Sequence, residues 1–350
     1  MIRVLVIDDS AVMRAFLGRV VEAQPDMELA AVVPDPLLAI ERIRRSAPDV
    51  ITLDVEMPGM NGLDFLAKLM AVRPLPVLMI SSLTRQGTEA TFRALELGAV
   101  DFVPKPAAFT ELDGLAQDIA DKIREAAQAR VFRRRPVAPA APRVPHPLLR
   151  GARPAPTTVI GIGASTGGVE ALRLMLGELD AEMPPILIAQ HMLPGFTEAF
   201  ARRLDGLTEI SVKQAEDGDE AQQGCAYVAP GGRHLVLERR AARYVLRLSD
   251  AAPVNRHRPS VDTLFRSLLQ AAGERTIAVL LTGMGADGAE AMLALRRAGA
   301  RTLAQDEASC AVFGMPRQAI ALGAADEVVT LQDMARRLRE LAAAAEGPRK

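Results

Sequence analysis

Ser165, His191 and Asp287 each follow an apolar run that reads as a buried strand, at residues 158–163, 185–189 and 277–281. A serine hydroxyl becomes a nucleophile when a base takes its proton. Histidine is that base near neutral pH, and an aspartate can fix the imidazole tautomer and stabilise its charged form. The three are 26 and 96 positions apart, so only a fold can bring them together. An open parallel α/β sheet does so, because its reactive residues gather outside the carboxyl ends of the strands. Attack on an acyl carbon would build up an oxyanion, and the backbone N–H groups near Thr166 and near Met284, in the turn at 282–288, are candidates to hold it.

Other chemistry fits these residues less well. Gly161-Ile-Gly-Ala-Ser-Thr-Gly-Gly168 is not a dinucleotide fingerprint, because the sixth position of G-x-G-x-x-G is Thr166, and Asp180 precedes the second strand where a ribose-binding acid should follow it. As G-x-S-x-G, Gly163 to Gly167 puts the serine on a tight strand-to-helix turn. The order Ser, His, Asp differs from the Ser, Asp, His order of α/β-hydrolases. Taken singly, Ser165 could be a helix cap, His191 a satisfied polar group and Asp287 a turn residue; their joint placement favours catalysis. His146, His234 and His257 have no nucleophile close in sequence, and Cys310 reads as a small buried hydrophobe.

A second polar set lies upstream. Asp8 and Asp9 end a first strand, Asp54 a third and Ser81 a fourth, and Lys105 follows a fifth. A carboxylate cluster suits a hard divalent cation such as Mg2+, which takes one or two carboxylates plus phosphate oxygens. Asp54 could accept a phosphoryl group, with Lys105 and the Ser81 hydroxyl contacting it. The alternative is that each aspartate merely caps a turn.

The elements that must position these groups follow from period and punctuation. Strand-like runs at 2–7, 28–32, 50–53, 77–80 and 100–103 alternate with helical periods, which argues for a parallel sheet covered on both faces. The alternation resumes at Thr158. It is interrupted at 210–250 by four short turn-separated strands, expected to form a mixed or antiparallel edge. Residues 130–157 hold seven prolines and seven arginines with no acidic residue, which reads as an extended linker. The expected organisation is α/β: two doubly wound parallel-sheet domains at 1–127 and 158–345, joined by a Pro/Arg-rich linker at 128–157.

With 350 residues there is ample chain for two cores. The balance of 42 basic and 43 acidic residues gives no argument for nucleic acid or a charged membrane. Two distant cysteines indicate neither disulfide framework nor zinc site. No run is long and apolar enough to span a membrane, and the opening residues lack a signal-peptide pattern, so a cytoplasmic protein without membrane insertion is expected.

Two resemblances sharpen these readings. Val4-Leu-Val-Ile-Asp-Asp9, Asp54-Val-Glu-Met-Pro-Gly-Met-Asn-Gly62 and Lys105-Pro106 resemble the response-regulator receiver domain, a flavodoxin-like fold. The resemblance implies phosphorylation of Asp54 by a histidine kinase. It also implies Mg2+ on Asp9, Asp54 and the backbone carbonyl of Glu56 with Asp8 assisting, and a switch of Ser81, Phe102 and Lys105. Ile162-Gly-Ala-Ser-Thr-Gly-Gly168, Gln190-His191, Arg258-Pro-Ser-Val-Asp262 and Leu281-Thr-Gly-Met-Gly-Ala-Asp-Gly288 resemble the chemotaxis protein-glutamate methylesterases. That resemblance implies a Rossmann-like esterase domain that demethylates, and deamidates, chemoreceptors after phosphorylation, acting as a monomer through Ser165, His191 and Asp287. The unusual loop Val33-Pro34-Asp35-Pro36 and the long linker depart from the family pattern. A phosphorylation-switched binding module without hydrolase activity is the competing class.

Overall fold

The computed structural model describes residues 1–81, 84–105, 112–131 and 157–346. Most of the expected linker, residues 132–156, lies outside them. The chain divides into two compact units with the split after Ala138.

The first unit is a parallel sheet of β1 (Ile2–Ile7), β2 (Met27–Val33), β3 (Val50–Asp54), β4 (Val77–Ser81) and β5 (Asp101–Pro104), in the order β2-β1-β3-β4-β5. This is the doubly wound flavodoxin-like order. Its central strands are apolar runs because helices cover both faces, so Val4, Val6 and Ile80 are buried with Phe16, Leu17 and Ile123. Helix Ala11–Glu22 starts where the Ser10 side chain accepts the Met13 N–H.

The second unit contains β6 (Val159–Ala164), β7 (Ile186–Gln190), β8 (Ser211–Gln214), β9 (Cys225–Val228), β10 (His234–Arg240), β11 (Arg243–Ser249), β12 (Thr276–Leu280), β13 (Arg301–Gln305) and β14 (Glu327–Val329). Seven of these form one sheet in the order β14-β13-β12-β6-β7-β9-β8. Of the mixed or antiparallel edge expected at 210–250, the antiparallel part lies outside the seven-stranded sheet. β8 pairs parallel with β9 and β9 with β7, and β10 and β11 pair antiparallel as a separate two-stranded sheet. The parallel return from β8 to β9 is possible because the intervening segment crosses the hairpin and bonds to it: Gly218 and Ala221 N–H donate to the Leu246 and Tyr244 carbonyls, and Leu246 N–H donates to Asp219.

The hairpin packs on helix Val261–Ala271, with Leu235, Leu237 and Leu246 in one core with Leu264, Phe265 and Leu268. That helix can also approach β6 closely because Gly163 has no side chain: a Cβ there would come within 2.3 Å of Val261. The glycine therefore packs helix on sheet as well as shaping the strand end. Among the described residues no helix is long and apolar enough to cross a membrane.

Candidate active site and receiver site

β6 lies between β7 and β12, so the residues that follow these three strands share one edge of the sheet. The chain leaves β6 toward β7 and later returns on the other side as β12, which opens a crevice at the point where strand order reverses. Ser165 and His191 directly follow Ala164 and Gln190, which are register partners in β6 and β7. The His191 N–H donates to the Ala164 carbonyl at 3.0 Å, and the Ser165 N–H donates to Thr282 beyond β12 at 3.0 Å. Turn 282–288 lies so close to the serine that a Cβ on Gly283 would come within 2.6 Å of the Ser165 Cβ. Thr166 is buried and Met284 half-buried.

His191 Nε2 lies 2.8 Å from Asp287 Oδ2. Its Nδ1 is buried without a hydrogen-bond partner. The Asp287 carboxylate takes four further hydrogen bonds: Asn255 Nδ2 at 2.8 Å, Ser260 Oγ at 2.9 Å, and the N–H groups of Val261 at 2.7 Å and Asp262 at 3.2 Å. The last three belong to the N-terminus of helix Val261–Ala271, where free N–H groups and the helix dipole favour an anion. Burial alone would push the pKa of Asp287 up, but the hydrogen bond and charge of His191, then Asn255 and the Val261 N–H, outweigh it and hold the carboxyl well below the usual range. An ionised Asp287 can only accept, so Nε2 carries the imidazole proton and Nδ1 the lone pair.

The upstream set also meets at strand ends. Ligand atoms of Asp8, Asp9 and Asp54 lie within 4.8 Å of one another. Lys105 Nζ is 2.6 Å from Asp54 Oδ2 and 3.5 Å from Asp8 Oδ2, and that Asp8 oxygen is buried with no hydrogen bond. An orphaned buried carboxylate oxygen within a three-carboxylate cluster fits a divalent cation. Desolvation, opposed by the Lys105 hydrogen bond and reinforced by Asp8, leaves the Asp54 carboxyl pushed up to about 6. The Glu56 N–H donates to Asp54 Oδ1 at 3.2 Å. Ser81 ends β4 and is buried. Its Oγ lies 3.0 Å from the Gly87 carbonyl and 2.6 Å from Thr91 Oγ1, while Phe102 is buried in the core.

A sequence profile of the CheB methylesterase family matches residues 160–338, and one of the response regulator receiver domain matches residues 4–117. The protein-glutamate methylesterase/protein-glutamine glutaminase of Paraburkholderia xenovorans (strain LB400) is 55% identical over 346 residues, covering 96% of this chain and 95% of the relative. The chain belongs to the CheB methylesterase family. A protein of the same description from Bordetella pertussis (strain Tohama I) is 55% identical over 342 residues, with 96% of each chain covered. The crystal structure of the Thermotoga maritima CheB methylesterase catalytic domain is similar to the second unit, at 39% identity and a TM-score of 0.52, covering 53% of this chain and 98% of that one. The chain is thus a hydrolase with an attached receiver domain.

Several residues at the site escaped sequence reasoning. Asn255 and Ser260 reach Asp287 from 32 and 27 positions away. His257, which has no nucleophile close in sequence, stacks on His191 with ring centroids 3.7 Å apart. Ser260 before Val261-Asp262 does carry a helix-start signal, but nothing local says which carboxylate that helix end will meet.

Proposed function

We propose that Ser165, His191 and Asp287 carry the hydrolysis of glutamate γ-methyl esters, and of glutamine side-chain amides, on the cytoplasmic helices of chemoreceptors. Phosphorylation of Asp54 by a histidine kinase raises this activity in the cytoplasm. The hydrolase class and the receiver follow from family membership; the residue roles rest on one observation, the His191 ring held by Asp287 through Nε2 with its buried Nδ1 unpartnered beside the strand end that bears Ser165.

In this mechanism Nδ1 takes the Ser165 proton as Oγ bonds to the acyl carbon, a contact that commonly tightens only with substrate bound. The tetrahedral oxyanion is held by backbone N–H groups at Thr166 and Met284. When the carbon–oxygen or carbon–nitrogen bond breaks, the imidazolium returns its proton to the leaving methanol or ammonia. Water then repeats the cycle on the acyl-serine, releasing glutamate and restoring Ser165. Asp287 stays ionised and stabilises the imidazolium in both halves.

In the receiver, Asp8, Asp9, Asp54 and the Glu56 carbonyl would hold Mg2+, which offsets the charge of an incoming phosphoryl group. Asp54 is the acceptor. Lys105 moves from carboxylate to phosphoryl oxygen, and Ser81 and Phe102 relay the change. Domain limits of 1–127 and 158–345 assign one role to each part.

Methanol release from methylated receptor membranes, with and without acetyl phosphate, tests the reading. Ser165→Ala should abolish release while leaving Asp54 labelling intact. Retained release would remove Ser165 as nucleophile, and release indifferent to a phosphodonor would remove the activating role of Asp54.

A further inference from the structure

Residues 254–257 close a two-residue turn: the Val254 N–H donates to the His257 carbonyl at 3.1 Å and the His257 N–H to the Val254 carbonyl at 2.9 Å. Both central residues have positive φ, Asn255 at 53° and Arg256 at 67°. That is the pattern of a type I′ turn, which Asn favours at the first central position but which ordinarily wants Gly at the second. An arginine held there is strained, and strain of this kind persists where the surroundings over-determine it, often beside a functional site. The surroundings here are the His191–Asp287 pair. Asn255 Nδ2 bridges Asp287 Oδ1 at 2.8 Å and Asp262 Oδ2 at 2.7 Å. From the other end of the turn, the His257 ring lies flat on the His191 ring, with centroids 3.7 Å apart and planes 15° apart.

We infer that turn 254–257 is a clamp on the catalytic pair, in which Asn255 fixes the carboxylate of Asp287 and His257 is a positioning residue whose ring holds the imidazole of His191 in the plane needed to reach Ser165. The inference rests on the catalytic roles proposed above. An imidazole can rotate about its Cβ–Cγ bond without breaking the chain. Asp287 grips one nitrogen of His191, and the Nε2 contact alone still permits tilting about that hydrogen bond. A flat ring at van der Waals distance removes this freedom, and stacking needs a planar partner rather than a particular nitrogen. Precise orientation of the base matters because misplacement by about 1 Å can cost on the order of 100-fold in rate.

The test is steady-state methanol release from methylated receptor membranes by the full chain carrying His257→Ala, His257→Phe or His257→Leu, with Ser165→Ala as control. The alanine variant should lose about ten-fold or more in kcat with KM little changed, and the phenylalanine variant should recover most of that loss. Leucine, similar in bulk but unable to stack flat, should stay near alanine, which keeps the test open if alanine unfolds. Wild-type kcat in the alanine and leucine variants, or phenylalanine as slow as leucine, overturns the clamp. An active Ser165→Ala control would instead overturn the catalytic assignment itself, so the two failures are distinct.

Discussion

Asp54 and Asp287 lie at comparable ends of two separate sheets. Each is almost wholly buried, Asp54 as the last residue of β3 and Asp287 in the turn after β12, and each faces a cationic or ionisable partner, Lys105 or His191. Their electrostatics are opposite. Asp54 has one backbone donor and one ammonium, with Asp8 crowding it, and desolvation pushes it up to about 6. Asp287 has five donors, three of them from one helix N-terminus, and is held far below the usual range. The difference shows that the satisfaction of a buried carboxylate, more than its burial, suits it to a role. An under-satisfied carboxylate can still gain from a cation and a new covalent bond. A saturated one serves as a fixed charge.

The comparison breaks most sharply at the carboxylates themselves. Asp54→Asn should eliminate labelling by acetyl phosphate, and chelation of divalent metal should do the same to the wild type; undiminished labelling of the variant would place the phosphoryl group elsewhere. Asp287→Asn should lower kcat on the order of 10^4-fold, because an amide in that nest of donors presents N–H to N–H and no longer holds the His191 tautomer. The same variant should be less stable by about 1–3 kcal/mol, the cost of leaving buried donors unmatched. A kcat within ten-fold of wild type would refute the fixed-charge role.

A smaller effect sharpens the contrast from the receiver side. The Ser81 hydroxyl is engaged by Thr91 Oγ1 and the Gly87 carbonyl. Thr91→Val keeps the shape and removes one hydrogen bond, worth about 1 kcal/mol, which is roughly a five-fold shift in a two-state balance. The acetyl phosphate concentration that half-activates methanol release should therefore fall about five-fold. An unchanged or higher concentration would show that Thr91 does not retain Ser81.

Much of this architecture could be read before folding. The strands are continuous apolar runs ending in polar residues, and that pattern led to Ser165, His191, Asp287 and the acidic set because strand ends are marked locally. Of the mixed or antiparallel edge expected at 210–250, the β10–β11 hairpin is antiparallel but β8 and β9 are parallel, because strands of only four residues each look the same in a meander as in a crossover. The hold on Asp287 was invisible for a different reason. Asn255, His257 and Ser260 reach the site through the packing of helix Val261–Ala271 against Gly163, a contact between distant segments that no periodicity encodes. Similarly, nothing local marks Thr91, and only the packing of helix Arg85–Leu97 brings its hydroxyl to Ser81.

The smallest expected effect isolates what a helix end does at each site. Ser10 and Ser260 are matched caps. Each side chain accepts the N–H three residues on, at 3.4 Å, and each lies beside a buried aspartate. Their links to that aspartate differ. Ser10 reaches Asp8 Oδ1 through its backbone N–H at 2.8 Å, which alanine retains, whereas Ser260 reaches Asp287 Oδ1 through its hydroxyl, which alanine lacks. Both alanine variants should lose about 1 kcal/mol from the cap, read as a shift of one denaturation transition in each case, since the two units have separate cores. Only Ser260→Ala should also slow methanol release, and only a few-fold, because four of the five donors to Asp287 remain. A loss near that of Asp287→Asn would make the serine hydroxyl the dominant support of the carboxylate. Wild-type kcat in Ser260→Ala would show that the helix N–H groups suffice without it, leaving the cap at the catalytic site as purely structural as the one in the receiver.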